Sequence, residues 1–186
     1  HYIRYFDKEF PGFKFLDVDK FVEQLDYFQD RWGFLTREEF IESIDEGVAK
    51  PGVVLTFDDG FKEHYNVVLP LLRERGLWGL FYIPTAHYTN DKKELLDVHR
   101  IHHLVSKCDT STLLSEVTEN IQPSMIESER LHGFDTELYN NQTNDHAALQ
   151  FKKLMNYYLK YEHKKPILDF LVNKYLTESE IYDKIY

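Results

Sequence analysis

Two rhythms of apolar and polar positions run through the first 85 residues, and the switches between them predict where helix gives way to strand. In "LDVDKFVEQLDYFQDRW", Phe21, Leu25 and Phe28 recur at i, i+4 and i+7 on one helical face, and Asp17 or Asp19 stands where an N-cap belongs. "LTREEFIESIDEG" predicts a second helix, with Thr36 and Glu39 in capping-box spacing and Gly47 as terminator. The rhythm then collapses into Val53, Val54, Leu55, Thr56 and Phe57, a run β-branched or aromatic at every position but Leu55 that predicts a strand. "KEHYNVVLPLLRERG" returns to helical spacing, with Pro70 either opening a new turn or kinking an existing one and Gly76 closing it. "LWGLFYIP" is a second short strand. Strand, helix and strand in about 30 residues make a βαβ unit, hence two parallel strands joined by a crossover. "HYIRYF" at the start reads as the tail of an interrupted first strand.

Beyond Pro84 the strand rhythm is gone. "DKKELLDVHRIHHLVSK", "DHAALQFKKLMNYYLKY", "PILDFLVNKYL" and "TESEIYDKIY" all carry helical spacing, the last with Thr177 and Glu180 as a capping box. Residues 109–145 are polar and weakly periodic, which predicts helical pieces joined by loops. There is no internal repeat. The pattern is therefore α/β, with a largely helical segment after the second clear strand.

Composition narrows the function classes more than the fold. With 186 residues and 42% hydrophobic content, one ordinary domain with a real core is expected. The 13 Tyr and 14 Phe suit both a packed core and the stacking surfaces of sugar-binding proteins. A net charge of −10 without a basic stripe argues against a nucleic-acid partner. Cys108, the single cysteine, excludes an internal disulfide framework and leaves the redox compartment open. No signal peptide and no apolar run of about 18 residues is present, so a soluble protein is expected, cytoplasmic or of the cell envelope. The chain begins with His1 rather than Met, which points to a segment upstream. Oligomeric state has no signature.

The chemistry concentrates in "TFDDG", where Asp58 and Asp59 follow directly on the predicted strand. An Asp-Asp-Gly triplet is also an ordinary solvated turn. A Mg²⁺-binding pair of a phosphotransfer enzyme would need a glycine-rich phosphate loop, which the sequence lacks. What decides between these readings is resemblance. Thr56, Phe57, Asp58, Asp59 and Gly60 resemble the signature of the polysaccharide deacetylases, carbohydrate esterases that include chitin and peptidoglycan deacetylases. The similarity extends over roughly the first 85 residues, through "FLDVDKFVEQLDYF" and "FLTREEFIESI" before the motif and "VLPLLRERGLWGLFYIP" after it.

The resemblance implies a metal-dependent removal of N- or O-acetyl groups from an acetylated carbohydrate by metal-activated water. It makes Asp58 the general base and Asp59 a ligand of a divalent metal, zinc by the family pattern, with two histidines from a later H-(S/T)-x-x-H motif. Gly60 would allow the tight turn that leaves both carboxylates at the strand's end. Phe61 departs from the many members that carry Pro there. The implied fold is a deformed (β/α) barrel of about six to eight parallel strands, of which two or three are visible. Residues 1–186 are thus expected to be one partial deacetylase-like domain, an incomplete barrel with a helical insertion at about 86–186, and with little activity alone.

His99 and His103 stand at i and i+4, a spacing that lets two imidazoles share a metal. Against this, Arg100 follows His99 where the motif wants Ser or Thr, and no helix and strand separate the pair from "LFYIP". Leu95, Val98, Ile101 and Val105 also make a helix stripe that would carry His99, His102 and His103 as a surface or helix-packing cluster. His64, His87, His132, His146 and His163 read as exposed or hydrogen-bonding residues, while His1 lies where relatives bring a residue near the pocket. The histidine motif is then expected beyond Tyr186. A reading of another class remains beside the enzyme: an inactive carbohydrate-binding or scaffolding relative of the same fold.

Overall fold

The computed structural model describes residues 2–85, 95–127, 138–139 and 143–186. The chain divides into two compact units: His1–Phe6 with Lys14–Lys93 and Ile181–Tyr186, and Asp7–Phe13 with Glu94–Glu180.

In the first unit β1 (Ile3–Arg4) lies parallel to β2 (Leu16–Asp17), Ile3 opposite Leu16. α1 (Val18–Arg31) starts at once, because the Asp17 carboxylate accepts a hydrogen bond from the Asp19 N–H at 2.9 Å and satisfies one of the helix's open donors. Val18, Phe21 and Leu25 are its buried face. α2 (Arg37–Glu46) has the expected reciprocal cap: the Glu39 N–H donates to Thr36 Oγ1 at 3.1 Å and the Thr36 N–H to Glu39 Oε2 at 2.8 Å. It ends on Gly47 in the left-handed region, φ 65°.

β3 (Leu55–Asp58) pairs in parallel with β4 (Gly79–Tyr82), Leu55 opposite Gly79 and Asp58 opposite Tyr82. The strand therefore reaches one residue further than the apolar run, into the first acid. At its other end Val53 stands apart as an isolated parallel bridge to Phe34. The crossover is a π-helical turn, His64–Val68, continued by α3 (Leu69–Glu74) with Pro70 in its first turn. Proline has no N–H to give to the preceding turn, so it is accommodated where the helix changes pitch. After α3 the Gly76 N–H bonds to the Arg73 carbonyl (3.1 Å) and the Leu77 N–H to the Leu72 carbonyl (2.8 Å), the paired closure that a left-handed glycine permits. Ile3, Phe21, Leu25, Phe57, Val68 and Leu72 form the core of this unit.

The second unit is helical. It holds α4 (Asp97–Lys107), α5 (Thr110–Asn120), a 3₁₀ turn (Pro123–Met125), α6 (His146–Lys153) with a π-helical turn (Leu154–Tyr158), α7 (Tyr161–Tyr175) and the start of α8 (Glu178–Ile185). Ile101, Leu104, Leu113, Phe151, Met155 and Leu168 lie in its core, each fully or almost fully buried. α7 begins at Tyr161 and takes Pro166 inside it, whereas the sequence suggests a helix opening at Pro166. The actual break is at Leu159 and Lys160. There the Glu127 N–H donates to the Tyr158 carbonyl (2.8 Å) and the Lys160 N–H to the Met125 carbonyl (2.9 Å), drawing the chain out of helix.

The expected stripe holds at Leu95 and Ile101, which are buried, and at Val105, which packs against the core, but fails at Val98. Val98 is exposed, while His99, Arg100, Ile101, His103 and Leu104 are buried. The His residues are not on the surface: His103 packs against the rings of Phe10 and Phe13, each with its centroid at 4.8 Å. The fold is mixed α/β, and among the described residues the strands pair two by two without closing a barrel.

Candidate active site

β3 delivers the two acids differently. Strand side chains alternate between faces, so Phe57 turns into the core, 5% exposed, and stacks on Phe81 at 4.9 Å and 17°. Asp58 turns the other way and is exposed to solvent. The chain then bends sharply, with Asp59 at φ 75° and Gly60 at φ 63°. Left-handed backbone is costly for a residue with a Cβ and is tolerated best by Asn and Asp; such outliers gather at functional sites. Gly60 has no such freedom to vary: besides its φ, a Cβ there would come within 3.1 Å of Ile83 Cγ2. The bend leaves the Asp59 side chain half-buried beside its exposed neighbour.

Phe61, where many relatives have Pro, is 2% exposed and stacks on Tyr2 at 4.6 Å and 14°, with Tyr186 at 5.8 Å. It closes the floor beneath the bend. Burial, then the neighbouring Tyr186, Asp59 and Glu63, raise the Tyr2 phenol's pKa well above its ordinary value. The Glu63 carboxylate accepts from the Ile3 N–H at 2.8 Å and lies 3.3 Å from Arg4 Nε, tying β1 to the segment after the motif. Burial nevertheless pushes its pKa up to about 7, against the pull of Arg4 and that hydrogen bond.

His64, read from the sequence as exposed or hydrogen-bonding, is buried at 3% exposure. It sits among Phe57, Phe61 and Phe81, and burial pushes its pKa down to about 4 although Asp59 and Asp58 favour its charged form. His99 and His103 lie in the second unit, packed as described, and burial followed by the Lys152 ammonium lowers His102 to about 4. His146 is exposed and His163 half-buried. His1, His87 and His132 lie outside the described residues. Among the described residues no group of three or more His, Cys, Asp or Glu side chains is placed to hold a metal ion. The carboxylate pair supplies hard oxygen donors, short of the three protein ligands usual for zinc.

The strand ending in an exposed acid and a left-handed acid, on the sequence Thr-Phe-Asp-Asp-Gly, lies within the stretch that a comparison with known families matches. A polysaccharide deacetylase family model matches residues 45–157, more than half of the chain, and the chain belongs to this family of carbohydrate deacetylases. No curated protein and no solved structure matches it. No helix among the described residues is long and apolar enough to cross a membrane.

Proposed function

We propose that this protein hydrolyses N- or O-acetyl groups on a carbohydrate, with Asp58 as the base and Asp59 as a ligand of a divalent metal, zinc by the family pattern. The observation that carries the reading is the pairing of an exposed Asp58 at the end of β3 with a half-buried Asp59 in the left-handed conformation. A bound metal supplies polarisation of the acetyl carbonyl. Asp58, exposed to solvent, accepts the proton of the attacking water; acetate departs and the sugar nitrogen or oxygen gains a proton. The left-handed bend sets the second carboxylate beside the first, as the ligand. In this reading β3 and β4 are two staves of the family's deformed barrel, residues from about 86 are its helical insertion, and the histidines that complete the metal site lie outside the described residues.

Acetate release from acetylated oligosaccharides, measured together with zinc calorimetry, tests these roles. Asp58→Asn is expected to lower the rate by about 10²–10⁴ and to keep zinc affinity, since general-base catalysis is of that order. Asp59→Ala is expected to weaken zinc binding at least about tenfold. Full activity in Asp58→Asn removes it as the base. Sugar binding with neither zinc binding nor acetate release would instead mark a non-catalytic carbohydrate-binding relative.

A further inference from the structure

Parallel strands in register place partners side by side on the same face, about 4.8 Å apart. Asp58 on β3 is the register partner of Tyr82 on β4, and Phe57 of Phe81. The stacked rings of Phe57 and Phe81 fix which face is the core. Asp58 and Tyr82 therefore project together from the opposite face, one acid and one aromatic ring at the carboxyl ends of adjoining strands. Both are solvent-accessible, Tyr82 at 56% of its full surface. Ile83 follows at 53% exposure, and Gly60 is the residue that lets the acidic bend close against it.

A tyrosine left this exposed beside a candidate base has an apolar ring face and a polar tip, the combination that meets a pyranose, with its C–H-rich face and hydroxyl rim. We propose that Tyr82 is a substrate-contacting residue: a sugar ring of the substrate stacks on its ring while the acetyl group of that sugar lies at Asp58. The inference rests on the deacetylase reading and adds to it a requirement that the sugar, and not the acetyl group alone, be recognised. A phenylalanine would keep the stacking face; an alanine would leave Asp58 in place with no wall beside it.

The test compares kcat/KM on an N-acetylglucosamine oligomer or an acetylated xylo-oligosaccharide with kcat/KM on 4-nitrophenyl acetate, which carries the ester without the sugar. In Tyr82→Ala the ratio of sugar to sugarless substrate is expected to fall at least about tenfold, through KM, and Tyr82→Phe is expected to restore most of it. Tyr82→Leu, of similar bulk without a ring face, serves if the alanine variant does not fold and is expected to behave like it. A proportional fall on both substrates, leaving the ratio unchanged, overturns the stacking role. So does a wild-type ratio in both Ala and Leu variants. Undiminished turnover of both substrates by Asp58→Asn strikes the underlying reading instead, and absence of turnover of every sugar tried by the wild type overturns both.

Discussion

The two units solve the problem of a core in opposite ways. The first buries hydrocarbon, with Phe21, Leu25, Phe57, Val68 and Leu72 between helix and strand, and sends its two motif acids to the rim of that core. The second buries polar groups in quantity: His99, Arg100, His103, Ser106, Lys152 and Lys153 are all at or below 5% exposure. A buried charge is tolerable only with partners. Arg100 has them, with Nη2 2.7 Å from Asp169 Oδ1 and Nε 2.9 Å from Glu178 Oε1, while Glu178 also accepts from the Leu95 N–H at 2.9 Å. The difference teaches that the helical unit buries polar groups in quantity as a structural device, whereas the strand-bearing unit buries few, His64 and in part Glu63 among them, and leaves Asp58 of the motif exposed.

Arg100→Met should sharpen that contrast most. It keeps the bulk but leaves Asp169 and Glu178 facing a methylene chain, and it is expected to cost about 3 kcal/mol, at the lower end for a broken buried pair because Asp169 is 40% exposed. Denaturant unfolding measures it; an unchanged midpoint would break the claim that charge pairing holds this unit together.

In the first unit the comparable device is Glu63, and pH is the way to probe it. Its folded pKa of about 7 lies above the ordinary 4.5, so its contribution to stability is complete below the ordinary value and is lost as pH rises through about 7. His64 runs the other way: its folded value of about 4 lies below 6.5, so its contribution is present above 6.5 and lost as pH falls through about 4. Glu63→Gln removes the first slope and keeps an acceptor for the Ile3 N–H. Relative to wild type the variant is expected to gain about 2 kcal/mol between pH 5 and pH 8, a shift of Tm in its favour. A difference that stays flat across that range would show that Glu63 is already ionised in the folded protein at pH 5.

The smallest effect belongs to a feature outside either core. Thr36→Ala removes the side chain that accepts the Glu39 N–H, and it is expected to cost about 1 kcal/mol, seen as a small fall in Tm. A loss several times larger would mean that α2 is held chiefly by its cap and little by packing, in keeping with its lack of any buried residue.

Much of this was readable along the chain where a feature depends on near neighbours. The Thr36 and Glu39 capping box, the terminators Gly47 and Gly76, the helical face of Phe21 and Leu25, and the parallel pair of strands around the acids all follow from local spacing. The deacetylase family was legible in "TFDDG" together with the stretches that flank it. What went astray depended on distant partners. Val98 is apolar and reads as part of one stripe with Leu95 and Ile101, yet it alone of the three is exposed, while Phe10 and Phe13, about 90 residues earlier, supply the aromatic surroundings that bury His103. His64 reads locally as exposed or hydrogen-bonding, and only the rings of Phe57, Phe61 and Phe81 decide that it is enclosed. Nothing local singles out Tyr82 or Glu63, since "LFY" reads as an apolar strand and a glutamate on a helix as a solvated one. A cross-strand alignment of "TFD" with "LFY" would have set Asp58 beside Tyr82.

The sequence by itself determined the helices, their caps, the order of strand and helix around the motif, and the family, because each is written in contacts a few residues apart. Only the tertiary structure decided which polar groups go inside, where the helix after Tyr158 breaks, that Asp59 takes the left-handed conformation while Asp58 faces solvent, and that an aromatic ring stands beside the candidate base. Those outcomes depend on register between strands and on rings and charges brought together from far along the chain, and pairing at that range leaves no period to read.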